Sequence, residues 1–221
     1  MRRRPALTAF ALAPLLALPQ AATAQAASPL VEAAERGDVA RVRKLLDTGS
    51  PIEQRDARRR TAVLAATAGN QLKVVRLLIS RGANVNAQDE QRDSAFLLAG
   101  ASGYTEIVRA TLEAGADLKS TNRYGGTALI PACHHGHVET VRLLLATPID
   151  VDHVNHLGWT ALLEAVVLGD GGPPYAEIVR LLLARGAKAG LADRDGVTPL
   201  QHALKRNQPE IAQLLRGAGA R

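Results

Sequence analysis

The sequence predicts an all-α repeat protein of six helix-turn-helix units, and three observations carry that reading. Ser or Thr residues that each open a short apolar run stand at positions 28, 61, 94, 127, 160 and 198, a spacing of 33 residues broken once by 38. Nine residues after each of them comes Gly or Asn: Gly37, Asn70, Gly103, Gly136, Gly169 and Asn207. Only 3% of the 221 residues are aromatic although 47% are hydrophobic. A core built of Ala, Leu and Val suits thin helical layers, and a fixed period of this length marks a stack of supersecondary units.

Each element follows from its residues. The Ser or Thr anchor reads as the N-cap of the first helix, its hydroxyl accepting from a backbone N–H two or three residues on. The Gly or Asn nine residues later tolerates a left-handed backbone, so it ends that helix in a tight turn. The second helix carries Val42, Val75, Val108, Val141, Val179 and Ala212 in register, with Leu45, Leu78, Leu144, Leu182 and Leu215 one turn on. These fall on one face. Gly49, Gly82, Gly115, Gly186 and Gly219 end the second helices, with Pro148 substituting in the fourth unit. Asp56, Asp89, Asn122, Asn155 and Asp193 then open extended turns before the next anchor.

The end units read as caps. Arg41 and Lys44 stand where inner units carry Val74 and Leu77, and Arg216 replaces the series Ile79, Leu112, Leu145 and Leu183. A terminal repeat has one neighbour and solvates its outer side. The stretch Gly169 to Tyr175 reads as an inserted loop between the helices of the fifth unit, cheap in closure entropy, with Tyr175 a second-choice partner contact.

Gly125-Gly-Thr-Ala-Leu129, Gly136-His-Val-Glu-Thr-Val-Arg-Leu-Leu-Leu145, Arg81-Gly-Ala-Asn-Val-Asn86 and Asp195-Gly-Val-Thr-Pro-Leu200 resemble the ankyrin repeat. The resemblance covers residues 28–221 in six units. It implies an ankyrin-repeat solenoid of helix-turn-helix units with hairpin-like finger loops, curved so that the fingers and first helices form a concave strip where partners dock. In one respect the chain departs from the family. The His that often follows Thr-Pro-Leu is replaced by Val31, Leu64, Leu97, Ile130, Leu163 and Gln201, so its hydrogen-bond network is expected to be absent.

Residues 1–26 have the layout of a secretory signal peptide: Arg2 to Arg4, an uncharged apolar run from Leu7 to Pro19, then small-x-small sites at Ala22-Thr-Ala24 and Ala24-Gln-Ala26. Cleavage is expected between about residues 24 and 27, leaving residues 28–221 as the repeat domain. The apolar run is short for a membrane span and no Cys follows it, so no stable membrane anchor is expected. Without the leader's three arginines, the 27 basic side chains fall to 24 against 21 acidic ones, a net charge of +3. So small a balance excludes nucleic acid as the main partner. Cys133 is the only cysteine and can form no internal disulfide.

Five of the six histidines, His134, His135, His137, His153 and His156, lie close together. Imidazoles are common metal ligands, but His137 fills a place where the family commonly has His after Gly. No metal or cofactor is expected. Cys133 with His134 or His135 is the one nucleophile and base worth naming, and adjacent helical residues do not face each other. No phosphate loop and no paired-carboxylate signature occurs, so the chain reads as a non-enzyme.

The residues the architecture leaves free supply the candidate partner contacts: Arg58, Arg60, Gln91, Arg123, Tyr124, His134, His135, His156, Trp159 and Arg194. Trp159, Tyr124 and Arg123 form their centre, because Trp, Tyr and Arg are enriched at binding hot spots. The function expected is a monomeric adaptor that binds another protein in a bacterial periplasm. Two alternatives are a metal- or redox-stress accessory protein using the His134 to His156 cluster, and an inhibitor or immunity-type protein that blocks a toxin or enzyme.

Overall fold

The computed structural model describes residues 28–221, and the leader expected over residues 1–26 lies outside them. Twelve helices among the described residues form six pairs: α1 (Pro29–Glu35) with α2 (Val39–Asp47), α3 (Ala62–Ala68) with α4 (Leu72–Ser80), α5 (Ala95–Ser102) with α6 (Thr105–Glu113), α7 (Leu129–His134) with α8 (Val138–Leu145), α9 (Ala161–Leu168) with α10 (Pro173–Ala184), and α11 (Pro199–Lys205) with α12 (Pro209–Gly217). The odd-numbered helices pack each on the next, the even-numbered ones do the same, and each pair packs internally. The protein is therefore two layers of helices with the core between them.

Small residues set the spacing of the first-helix layer. Ala33, Ala34, Ala65, Ala66, Ala99, Ala132, Ala165 and Ala203 are all buried. At Gly100 a Cβ atom would come within 2.8 Å of the Cβ of Ala128, so α5 and α7 meet more closely than an alanine allows. The second helices contribute the branched apolar residues, and the series from Val42 to Ala212 is buried throughout. Where the leucine series lapses in the third unit, Thr111 fills the place and donates its hydroxyl to the carbonyls of Ile107 and Val108. Arg41, Lys44 and Arg216 are exposed at the two ends.

Four of the six expected N-caps form. The hydroxyls of Ser28, Ser94, Thr160 and Thr198 accept from the N–H groups of Val31, Leu97, Leu163 and Gln201. At Thr198 the Gln201 side chain accepts the anchor's own N–H in return, completing a capping box. Thr61 and Thr127 do not cap; their hydroxyls are buried without a partner. At Thr127 the chain turns through a bond from the N–H of Ile130 to the Thr127 carbonyl, and α7 starts one residue late.

The insertion also differs from expectation. Gly169 is extended, with φ −71° and ψ 157°, and the left-handed position passes to Gly171 at φ 80°. Part of the insertion is absorbed as helix: α10 starts at Pro173, where a missing N–H costs nothing, and runs for 12 residues against 9 in α4. Tyr175 is half-buried in its first turn, and its hydroxyl donates to the carbonyl of His134 at 3.0 Å. It props two repeats together and is not free for a partner.

Candidate partner-binding cleft

The finger loops rest on one repeated device. Asp56, Asp89, Asn122, Asn155 and Asp193 each accept with Oδ1 from the N–H groups two and four residues on, at 2.8 to 3.1 Å. Each also donates its own N–H to the carbonyl four residues on. The short polar side chain thus reinforces a loop that the backbone bonds also close. Neighbouring fingers are joined by backbone bonds from Glu90 to Arg58, Arg123 to Gln91 and His156 to Tyr124, which fixes the order of the tips.

Side chains also tie fingers to helices, through residues other than the position where the family's His is replaced. Asn155 Nδ2 donates to Glu164 Oε1 at 2.8 Å, and His202 Nε2 donates to Asp193 Oδ2 at 2.7 Å. On the first finger, Arg60 donates to Asp56 at 2.8 Å and forks onto both oxygens of Glu35 in α1, at 2.7 and 3.0 Å. The sequence reading of Arg60 as a partner contact is overturned by this. It is 9% exposed, and an arginine spent on two carboxylates holds the finger and cannot reach out of it.

One cleft of about 410 Å³ opens where the second to fourth fingers meet the ends of α5, α7 and α9. Its apolar walls are Ala101, Ile130, Pro131, Leu157 and Leu168; its polar groups are Asp93, Asn122, Arg123, Tyr124, His134, His135, Asn155 and Glu164. Tyr124 and Leu157 remain 53% and 52% exposed on adjacent finger tips. The Arg123 guanidinium lies 4.7 Å from the centre of the Tyr124 ring and donates to its hydroxyl and to Gln91 Oε1. The imidazoles of His134 and His135 stack at 4.3 Å. Burial and the neighbouring His135 push the pKa of His134 down, so its ring is neutral.

Two carboxyls in the cleft are held back from ionising. Burial pushes Glu164 up to about 7, against the opposing pull of the Asn155 bond. Burial and the nearby charge of Asp89 push Asp93 up to about 6, with Arg123 pulling the other way. Beneath them burial drives the Cys133 thiol well above its usual range, so no thiolate is available as a nucleophile.

Of the residues chosen from sequence, the structure brings Arg123, Tyr124, His134 and His135 together in this cleft. Arg58, Gln91, His156 and Arg194 are exposed on the fingers outside its lining, and Trp159 is half-buried outside it as well. The remaining histidines are occupied: His153 donates to the Gly125 carbonyl at 2.7 Å, and the His156 and His137 rings fill the space a side chain would need at Gly125 and Gly103. Among the described residues no group of three or more His, Cys, Asp or Glu side chains is placed to hold a metal ion. Sequence reasoning missed Asp93 and Glu164. Glu164 carried a signal, as the one charge in the apolar run Ala161 to Leu168; Asp93 stands where other units have Arg60, Gly126, Trp159 or Val197.

The chain matches the family described as Ankyrin repeats (3 copies) over residues 11–89 and 96–189, and that described as Ankyrin repeats (many copies) over 175–216. It is similar to an ankyrin repeat domain from Acinetobacter baumannii AYE, with 54% identity, 87% of this chain and 98% of that one covered, and a TM-score of 0.85. The ankyrin repeat domain of Bcl-3, a member of the IκB protein family, matches with 29% identity over 87% of this chain and 86% of that one, at a TM-score of 0.77. Among curated proteins, the putative ankyrin repeat protein YahD of Escherichia coli is 54% identical over 57 residues, which is 26% of this chain and 28% of that relative. The period, the paired helices and these matches agree, and the chain belongs to the ankyrin repeat family.

Proposed function

We propose that this is an exported, monomeric protein of the bacterial periplasm that binds another protein through its finger and first-helix side and catalyses nothing itself. Ankyrin repeats generally mediate protein–protein interaction, which gives the class of function. The observation that carries the reading is the cleft around Tyr124 and Leu157, where large side chains are left in solvent. Exposed aromatic and apolar groups gathered in a concavity are what a binding surface needs. The leader over residues 1–26 supports export.

Two experiments test this. Cross-linking capture from periplasmic extract should recover a partner, and Tyr124→Ala with Leu157→Ala should weaken capture by roughly 2 kcal/mol or more while circular dichroism stays unchanged. Lys73→Glu and Arg43→Glu, exposed on the second helices, should capture normally. Loss through these outer changes with normal capture by the finger variant would overturn the face assigned. Intact mass of the protein recovered from the periplasm should show cleavage between about residues 24 and 27; a species that keeps residues 1–24 would refute the export reading.

A further inference from the structure

Several carboxylates of the fingers and first helices come with their own hydrogen-bonded base, whereas Asp89 accepts from backbone N–H groups alone. Asp56 and Glu35 share Arg60, and Asp193 has His202. The two that line the cleft differ. The Asp93 carboxylate receives no hydrogen bond from any described residue; Glu164, 5% exposed, receives one, from the neutral amide of Asn155. The other oxygen of Glu164 faces Nδ1 of His134 at 3.3 Å, an imidazole that burial keeps uncharged. Arg123 is the one Lys or Arg side chain in the lining; its charge acts on Asp93, but its hydrogen bonds go to Gln91 and Tyr124 at the rim.

We propose that the cleft receives the cationic side chain, arginine or lysine, of a partner polypeptide, with Asp93 and Glu164 supplying the counter-charge. The walls suit the rest of such a side chain. Ile130, Leu157 and Leu168 give apolar surface for a three- or four-carbon stem, and the Tyr124 ring, which already carries Arg123 against it, is of the kind that holds a guanidinium. An acidic side chain would meet two carboxyls already short of donors. Burial raises the pKa of both carboxyls by more than Arg123 and the Asn155 amide lower them, and a bound cation reverses that cost.

The inference rests on the finger side being the binding face, and its test separates the two. The full chain as expressed is titrated at about pH 8, where both carboxyls are ionised, with capped pentapeptides Ala-Leu-Xaa-Leu-Ala in which Xaa is Arg, Lys, Gln or Glu. The Arg and Lys peptides should shift the amide resonances of Tyr124, His134, Leu157 and Glu164 and bind at least about tenfold more tightly than the Gln peptide. Asp93→Asn with Glu164→Gln, which keeps the shapes and the Asn155 contact, should erase that preference with the melting transition still cooperative. Equal binding of the Gln or Glu peptide, or no shift in the cleft with any peptide, overturns the proposal. If a captured partner depends on Tyr124 and Leu157 but is indifferent to the carboxyl variants, the cation is wrong and the face is right. If capture ignores all four residues, both are wrong.

Discussion

Asn155 and Glu164 stand nine residues apart, one at the root of a finger and one inside a first helix, and they are bonded at 2.8 Å. The same link, with donor and acceptor exchanged, recurs as Asp193 and His202, also nine residues apart. Asn155 therefore does two jobs: Oδ1 closes the finger by accepting from Leu157 and Trp159, and Nδ2 satisfies a buried carboxyl. Asn155→Ala should destabilise the protein by about 2–3 kcal/mol, since it strands an acceptor in the interior as well as opening the loop. Urea denaturation checks this, with Asn122→Ala as the comparison; Asn122 closes its loop in the same way but its side-chain amide serves no buried acid.

The raised pKa of Glu164 fixes a pH dependence. The folded protein holds this proton up to about pH 7, whereas the ordinary value is 4.5. Folding thus binds a proton between those limits. Stability from this group is complete below about pH 4.5 and is lost as pH rises toward 7. Glu164→Gln does not titrate, so it should match the wild type in acid and exceed it by about 2 kcal/mol at about pH 8. Glu35 and Asp193, whose pKa values are lowered by Arg60 and His202, act in the opposite sense and cancel in the comparison. Parallel stability curves for the two proteins would contradict the burial of this carboxyl.

Arg59 and Arg92 occupy the same finger position in adjacent units with φ 61° and 62°, where Gly125, Gly158 and Gly196 hold it in the later three. A side chain there is strained against its own backbone. Arg59→Gly and Arg92→Gly should each raise stability by about 0.5–1 kcal/mol, the relief of strain exceeding the added freedom of the unfolded chain. Thermal melts read the sign directly.

Arg60 should behave as a structural residue. Arg60→Ala leaves Asp56 and Glu35 without their cation and should cost about 2–3 kcal/mol, below the range for fully buried pairs because Glu35 is 42% exposed. Partner capture, scaled to the folded fraction, should not change. An Arg60→Ala protein that is fully stable but fails to capture would restore Arg60 to the binding surface.

The period, the helix pairs, the buried Val series and the capped ends were legible because each depends on neighbours close in sequence, and because six copies of one pattern average out the irregularities of any single copy. The Asp and Asn positions that open the fingers were readable for the same reason: an Oδ1 acceptor reaching N–H groups two and four residues on is a local event. Less of the candidate cleft could be read. Arg123 and Tyr124 were found as tip residues, but Arg60 sits at an equally exposed place in the sequence and is buried.

What the sequence by itself determined is the repeat and everything that repeats: unit length, helix faces, turn residues and the family. The tertiary structure alone decided how individual departures from the repeat are used. Tyr175 became a prop because α10 grew by a turn and aimed its hydroxyl at the His134 carbonyl, 41 residues away. Arg60 turned inward because the stacking of α1 against the first finger placed Glu35 within its fork. Asp93 and Glu164 came to line one cleft because finger and helix ends from successive units converge there. Local spacing fixes where a side chain stands on its own element, whereas burial and charge balance are set by which units stack beside it.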